Sequence, residues 1–162
     1  MREVCDTAKA PPDADQPWLD LVNAIDEPAG LLNSRREFTA VNSRLLSLLG
    51  LKASEVSGLR IGQSVGCLNW KTTPSGCGSG PKCRECGANM AILQGQAGKI
   101  ATETCRWRLP VGTDECFIDF CIWTFPIETQ HRWTLIVIPD DNSEERHESI
   151  ANTLVKRSVL ST

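Results

Sequence analysis

The sequence predicts an α+β fold with five strands and with helices both between and beyond them. Strand-like runs, rich in apolar and β-branched residues, occupy 30–32, 38–41, 101–109, 116–127 and 132–138. Turn-forming residues separate the first two runs, and others separate the last three. Stretches of helical periodicity lie before, between and after these two groups of strands. This order of elements is typical of an α+β domain.

The N-terminal part is predicted to contain an arm and one short helix. Residues 1–16 are polar and contain prolines, so we expect a mobile arm there. Apolar residues then recur at helical spacing and predict an amphipathic helix; they are Trp18, Leu19, Leu21, Val22 and Ile25. Their combined apolar area exceeds what one short helix needs for its own stability. We therefore expect part of this face to pack on the sheet and the rest to form a homodimer contact.

Three further helices follow from their end signals. Asn42 is a favourable first cap for a leucine-rich helix that Gly50 ends, and a second short helix begins at Ser54 and stops near Gly58. The last stretch, 143–162, is predicted to be a polar helix. His147 lies in this helix, and we expect it on the solvated face.

Composition restricts the classes of function. The chain has 162 residues, of which 41% are hydrophobic and 23% charged, and its net charge is −3, as expected for one globular domain with a core. No basic patch interleaved with aromatic residues indicates a nucleic-acid partner. No apolar run predicts a membrane span, and no export signal is recognisable, so we expect a cytoplasmic protein. No nucleophile triad, phosphate-binding loop or dinucleotide fingerprint is present, and we therefore predict that the chain is not an enzyme.

The most informative stretch is a glycine-rich loop, residues 66–87, which we call the cysteine loop. It contains four of the eight cysteines, Cys67, Cys77, Cys83 and Cys86, with the spacing C-x9-C-x5-C-x2-C. Four thiolates this close in sequence can bind one Zn²⁺ ion or one iron–sulfur cluster. Their bunching, together with the missing export signal, argues against a secreted disulfide framework. The sequence therefore predicts a metal site on these four residues.

The end of the cysteine loop is predicted to open a long helix. A proline suits the first position of a helix, and we expect one helix over 81–94. Cys83 and Cys86 would then lie in its first turn, on the same face as Met90 and Leu93. The same spacing leaves open a metal-free alternative, in which Cys83 and Cys86 form a reversible disulfide.

The remaining cysteines are predicted to be unrelated to the site. Cys105, Cys116 and Cys121 lie in the predicted strands, where cysteine commonly serves as a small buried apolar side chain. Cys5 lies in the N-terminal arm and is predicted to have no role.

The run 29–58 resembles the opening of a PAS domain. In that family, a strand–turn–strand ending in the Val-Asn of Val41-Asn42 precedes a helix ending in glycine, here Gly50. A short helix with the Glu-x-x-Gly pattern of Glu55 and Gly58 comes next. With the later strands, the resemblance covers roughly residues 18–141.

The resemblance implies one five-stranded antiparallel sheet with helices on one face and flanking N- and C-terminal helices. It sets the expected sensor domain at 17–141, followed by a signalling or linker helix at 142–162. As a sensory module, the domain would act through a downstream protein such as a histidine kinase or another output domain.

The resemblance also suggests a cofactor. In PAS domains, the segment between the second short helix and the long helix lines the ligand groove, and some oxygen-sensing members hold a [4Fe–4S] cluster there on four cysteines. It therefore implies an oxygen or redox sensor whose cluster is bound by Cys67, Cys77, Cys83 and Cys86, with Trp70 shielding it from solvent. A structural zinc site on the same residues and a metal-free thiol switch remain the alternatives.

Overall fold

The computed structural model describes residues 16–128, 132–141 and 143–161, and it confirms the five-stranded antiparallel sheet, whose order is β2-β1-β5-β4-β3. The strands are β1 (Ala29–Leu32), β2 (Phe38–Val41), β3 (Ala101–Val111), β4 (Asp114–Glu128) and β5 (Arg132–Val137). The helices are α1 (Gln16–Ala24), α2 (Ser43–Leu49), α3 (Ala53–Val56), α4 (Ile61–Val65), α5 (Gly87–Gln96) and α6 (Glu144–Ser161). Two 3-10 helices, Leu68–Thr72 and Pro81–Glu85, lie in the cysteine loop.

The hairpin of β3 and β4 is longer than the sequence predicts. Its register runs without a break from Ala101 opposite Thr124 to Val111 opposite Asp114. The predicted turn over 110–114 is therefore only two residues long, and Gly112 supplies the left-handed backbone that it needs, with φ at 60°. The next turn, at 129–131, lies outside the described residues.

The sheet has an apolar core on each face. On one face, which we call the cavity face, α2 to α5 pack on side chains such as Cys105 and Ile122. On the opposite face, which we call the outer face, α1 and α6 pack on Trp123 and Phe125. Successive residues of β4 thus point into different cores, as the two-residue repeat of a strand requires. The two flanking helices therefore cover the outer face of the sheet.

Asn42 joins the first helix to the rest of the domain. This buried residue caps α2, where its Oδ1 atom accepts hydrogen bonds from the amides of Leu45 (2.9 Å) and Ala29 (3.1 Å). Its Nδ2 atom donates to three carbonyl oxygens at and beyond the end of α1, those of Val22 (3.1 Å), Ile25 (3.2 Å) and Glu27 (2.9 Å). One side chain therefore holds α1, β1 and α2 together.

The apolar face of α1 is used within the chain. Leu21, Val22 and Ile25 are buried against the outer face of the sheet, so the surplus apolar area that the sequence suggests is not found at these positions. The side chain of Trp18 lies outside the described residues. The homodimer remains a prediction.

The C-terminal helix α6 is anchored at its first turns. Arg146 forms a two-pronged ion pair with Glu27, at 2.7 and 3.0 Å. The ring of His147 packs against Trp123 and Phe125, with centroids 5.0 Å apart in each case. The prediction of a solvated His147 is therefore wrong in part, because the ring packs on two aromatic side chains while the residue stays partly exposed. No helix among the described residues is long and apolar enough to cross a membrane.

Candidate functional site

The four cysteines of the cysteine loop line one cavity. Its volume is about 310 Å³, and it lies between the cysteine loop, the start of α5 and strand β3. Cys67 and Cys83 are buried, whereas Cys77 and Cys86 are half-buried. Trp70 also lines the cavity, as the shielding hypothesis expects. Residues separated by up to 19 positions in the sequence are thus brought to one site.

The first two cysteines are positioned by helix α4. Gly66 ends this helix with a left-handed backbone (φ 75°), and the Cys67 amide then donates to the Gly62 carbonyl at 2.8 Å. The amide of Gly62 donates to the Cys77 sulfur at 3.3 Å. A Cβ atom on Gly62 would lie 2.6 Å from that sulfur, so only glycine leaves room for the contact. The close approach explains a glycine inside a helix.

The predicted single helix over 81–94 is wrong. The chain forms the 3-10 helix Pro81–Glu85, leaves helical geometry at Cys86 (ψ 121°), and starts α5 at the next residue. The cysteines consequently do not share a helical face with Met90 and Leu93, which are 39% and 47% exposed. The buried face of α5 consists of Gly87, Ala88, Ala91, Ile92 and Gly95.

The break at Cys86 coincides with a close contact between α5 and β3. A Cβ atom on Gly87 would lie 2.0 Å from the carbonyl oxygen of Thr104, a separation that no side chain allows. Because Gly87 has no Cβ atom, the start of α5 can rest directly on the strand. This contact brings the Cys86 sulfur to 3.6 Å from the sulfur of Cys105.

Cys105 is therefore a neighbour of the site that sequence reasoning missed. The expectation that it is buried on a strand is confirmed, but the expectation that it is unrelated to the cysteine loop is wrong. The two-residue repeat of the strand was a usable signal, because it places Cys105 on the same face of β3 as Ala101 and Trp107, the cavity face. The spacing of these residues does not predict which helix packs over Cys105.

Hydrogen bonding and burial shift the cysteines in opposite directions. The contact with Cys105 lowers the pKa of Cys86, and the amides at the start of α5 favour its thiolate further. The same contact, with burial, raises the pKa of Cys105. Burial raises the pKa of Cys77 to about 11, although the Gly62 amide acts against it. In the metal-free protein, Cys86 is thus the thiol most readily ionised of these three.

The cavity is lined by an excess of positive charge. Its basic residues are Arg36, Arg60, Lys82, Arg106 and Arg108, whereas Glu85 contributes a carboxylate. Arg36 approaches from the β1–β2 turn and donates to Asn89 Oδ1 at 3.0 Å, and Asn89 in turn donates to the Cys83 carbonyl at 3.1 Å. Arg60 donates to the Cys77 carbonyl at 2.7 Å. These contacts hold two guanidinium groups beside the cysteine loop.

Two of these arginines are paired on the exposed part of the hairpin. Arg106 binds Asp119 at 2.6 and 2.8 Å, and Arg108 binds Glu115 at 2.8 Å. The partner of Asp119 places this acid on the outer face of the sheet, in solvent. Such exposed pairs contribute little stability, and their carboxylates offset part of the positive charge.

The ligand assignment itself stays a prediction. Within residues 16–128, 132–141 and 143–161, no three or more histidine, cysteine or acidic side chains are arranged to hold a metal ion. The cysteines border a cavity instead of meeting at one point. Cys116 and Cys121 lie on β4 and do not line this cavity, and Cys5 lies outside the described residues.

Comparison with known proteins supports the fold. No protein-family model matches the sequence, and a search of curated proteins finds no relative. Among solved structures, the PAS domain of Bordetella pertussis BvgS matches with a TM-score of 0.52 and 13% identity, covering 90% of this chain and 99% of that one. The Rhodobacter sphaeroides LOV protein matches with a TM-score of 0.51 and 11% identity, covering 91% and 82%.

A third match is a domain of a sensory box sensor histidine kinase/response regulator from Geobacter sulfurreducens. Its TM-score is 0.50 and its identity 11%, and the match covers 78% of this chain and 93% of that one. Identities this low carry information about the fold alone. These structural matches, the strand order and the arrangement of the helices together show that the chain has the PAS fold.

Proposed function

We propose that this chain is a sensory module that responds to oxygen or redox state through an iron–sulfur cluster held by Cys67, Cys77, Cys83 and Cys86. The observation that carries the proposal is the single cavity that all four cysteines line. It lies on the cavity face of a PAS fold, which supports a sensory role over a catalytic one.

The size of the cavity favours a group of several atoms over one ion. A single zinc ion needs four sulfurs at about 2.3 Å from its centre. The cavity of about 310 Å³ is far larger than such a site, and it falls at the lower end of the volumes that small ligands occupy. The four thiols are distributed around this space, which suits a [4Fe–4S] cluster.

The charge of the cavity fits the same group. A cluster with four thiolate ligands is anionic, and the charges of Arg36, Arg60 and Lys82, which have no carboxylate partner named above, would compensate it. Arg36 and Arg60 are held in place by hydrogen bonds to Asn89 and to the Cys77 carbonyl, so they are already oriented. Trp70 and Trp107 line the cavity and would limit the access of water to a bound cluster.

When bound, the cluster would supply chemistry that oxygen or another oxidant can change. The residues of the chain bind it, exclude water and communicate its state through the cysteine loop and α5, which rests on β3 at Gly87. Because the sequence contains no recognisable catalytic motif, we infer that its output passes through a surface to a partner, such as a histidine kinase or another output domain.

The test is anaerobic reconstitution with iron and sulfide, followed by absorption spectroscopy and analysis of iron, sulfide and zinc. We expect a brown protein with a visible charge-transfer band and near-complete loss of iron after each single substitution Cys67→Ser, Cys77→Ser, Cys83→Ser and Cys86→Ser. Cys116→Ser and Cys121→Ser are matched controls, because these cysteines lie outside the cavity. Full iron retention in Cys83→Ser would refute the ligand set.

The same measurements separate the two alternatives. Stoichiometric zinc in a colourless protein would indicate a structural zinc site. Failure to bind either metal, with a reversible disulfide between Cys83 and Cys86, would indicate a metal-free switch.

A further inference from the structure

We infer that Cys86 and Cys105 form a peroxide-sensitive pair that closes to a reversible disulfide in the metal-free protein. The pair links the start of α5 to strand β3. The inference goes beyond the proposed cluster, since Cys105 is not one of the four cysteines assigned to it.

The geometry supports this pair. The sulfurs of Cys86 and Cys105 are 3.6 Å apart, and both residues are free thiols. A disulfide needs about 2.05 Å between sulfurs, so a small approach of the two side chains is sufficient. The intervening backbones already touch at Gly87 and Thr104, and the main chain therefore needs no large movement.

The two sulfurs differ in access, which gives each a role. Cys86 is half-buried and lines the cavity, so a small oxidant can reach it there. Cys105 is 1% exposed and does not line the cavity. Cys86 is therefore the sulfur that is oxidised first, and Cys105 is the resolving thiol beneath it.

The reaction balances with hydrogen peroxide as the oxidant. The Cys86 sulfur attacks one peroxide oxygen, the O–O bond breaks, and the products are a sulfenic acid and one water. The Cys105 sulfur then attacks the Cys86 sulfur, the S–S bond forms, the S–O bond breaks, and a second water leaves with the remaining thiol proton. Two thiols lose two electrons, and the peroxide is reduced to two waters.

The pair also competes with metal binding. One Cys86 sulfur cannot be both a cluster ligand and half of a disulfide. Cluster binding should consequently protect Cys86 from peroxide, and the disulfide should prevent reconstitution until a thiol reductant opens it. The Cys86–Cys105 disulfide would thus persist as a covalent record of oxidation after the cluster is lost, until a reductant opens it.

The experiment uses the full chain, made metal-free with a chelator and a reductant, then treated with equimolar hydrogen peroxide, alkylated and digested with trypsin. Trypsin separates the relevant cysteines, because Cys83 falls in the peptide 83–84, Cys86 in 85–99 and Cys105 in 100–106. We expect peptide 85–99 linked to peptide 100–106, the loss of two thiols, and reversal by a phosphine reductant. Cys105→Ser should abolish the linked peptide, and Cys116→Ser on the next strand should retain it.

Two results would overturn the inference. One is a linkage of peptide 83–84 to 85–99, and the other is irreversible oxidation of Cys86 with no linked peptide. Circular dichroism of each variant verifies folding, and Cys86→Ser tests the pair from its other side. An arm with reconstituted protein tests the cluster separately: absence of iron there refutes the proposed function and leaves the metal-free result unaffected.

Discussion

The substitution Asn42→Ala should strongly destabilise the domain, because one buried side chain holds three elements together. It removes the cap of α2, the bond from the Ala29 amide, and the donor that serves three carbonyl groups near the end of α1. The Val22 carbonyl retains another partner, the Ile25 amide at 3.3 Å. The amide of Ala29 and the carbonyls of Ile25 and Glu27 lose a bond that the alanine cannot replace.

The magnitude follows from these groups. Loss of a helix cap costs about 1 kcal/mol, and a buried polar group left unpaired costs about 1–3 kcal/mol. Because effects of groups in one hydrogen-bond network do not add fully, we expect a total of about 3–4 kcal/mol. Against a usual stability of about 5–15 kcal/mol, this loss lowers the melting temperature by roughly 6–16 °C.

Denaturant and thermal unfolding, followed by far-ultraviolet circular dichroism on protein in one metal state, measure the effect. Asn42→Ser is the matched control, since serine caps a helix well but is too short to reach the α1 carbonyls. It should recover about 1 kcal/mol relative to Asn42→Ala. A loss below about 1 kcal/mol in Asn42→Ala would show that the bonds to α1 contribute nothing and would refute the reasoning.

Three further predictions concern the site and the assembly. Gly87→Ala should move the start of α5 away from Thr104 and lower the free energy of unfolding by about 1–3 kcal/mol. It should also reduce disulfide formation between Cys86 and Cys105, which thiol mapping measures. Unchanged disulfide formation would contradict the role of the contact. Removal of metal should make residues 66–94 sensitive to protease while 101–138 stay protected, and uniform protection would show that the cysteine loop needs no metal. The predicted homodimer should appear as a dimer in sedimentation of metal-replete protein, and a monomer at micromolar concentration would exclude it.

Much of the fold was predictable because its signals are local. The hairpin of β1 and β2, the cap at Asn42 and the left-handed end at Gly50 each depend on residues within a few positions. The strands β3 to β5 were found from apolar runs between turns. The burial of α1 against the sheet was only partly predicted. Helical periodicity shows which residues form an apolar face, but it does not show whether the sheet or a second protomer covers that face.

The candidate site was predictable in membership and less so in geometry. The four cysteines share a cavity, as their bunching suggests. The break at Cys86 could not be foreseen, since Pro81 opens a 3-10 helix as well as an α-helix and the residues after it contain no strong helix breaker before Gly87. The positions of Cys105 beside Cys86 and of His147 beside Trp123 could not be predicted, because these contacts join elements that are distant in the sequence.

The unbroken pairing of β3 with β4 restricts how the domain can move. Its eleven residue pairs alternate between the cavity face and the face toward solvent or the terminal helices. A slide by one residue would exchange these faces and expose the core, so the ladder cannot work as a sliding element. Cys105 and Trp123 lie on opposite faces of the sheet, with Cys105 beside the start of α5 and Trp123 beside His147 of α6. A change that shifts this part of the sheet would therefore act on α5 and α6 together.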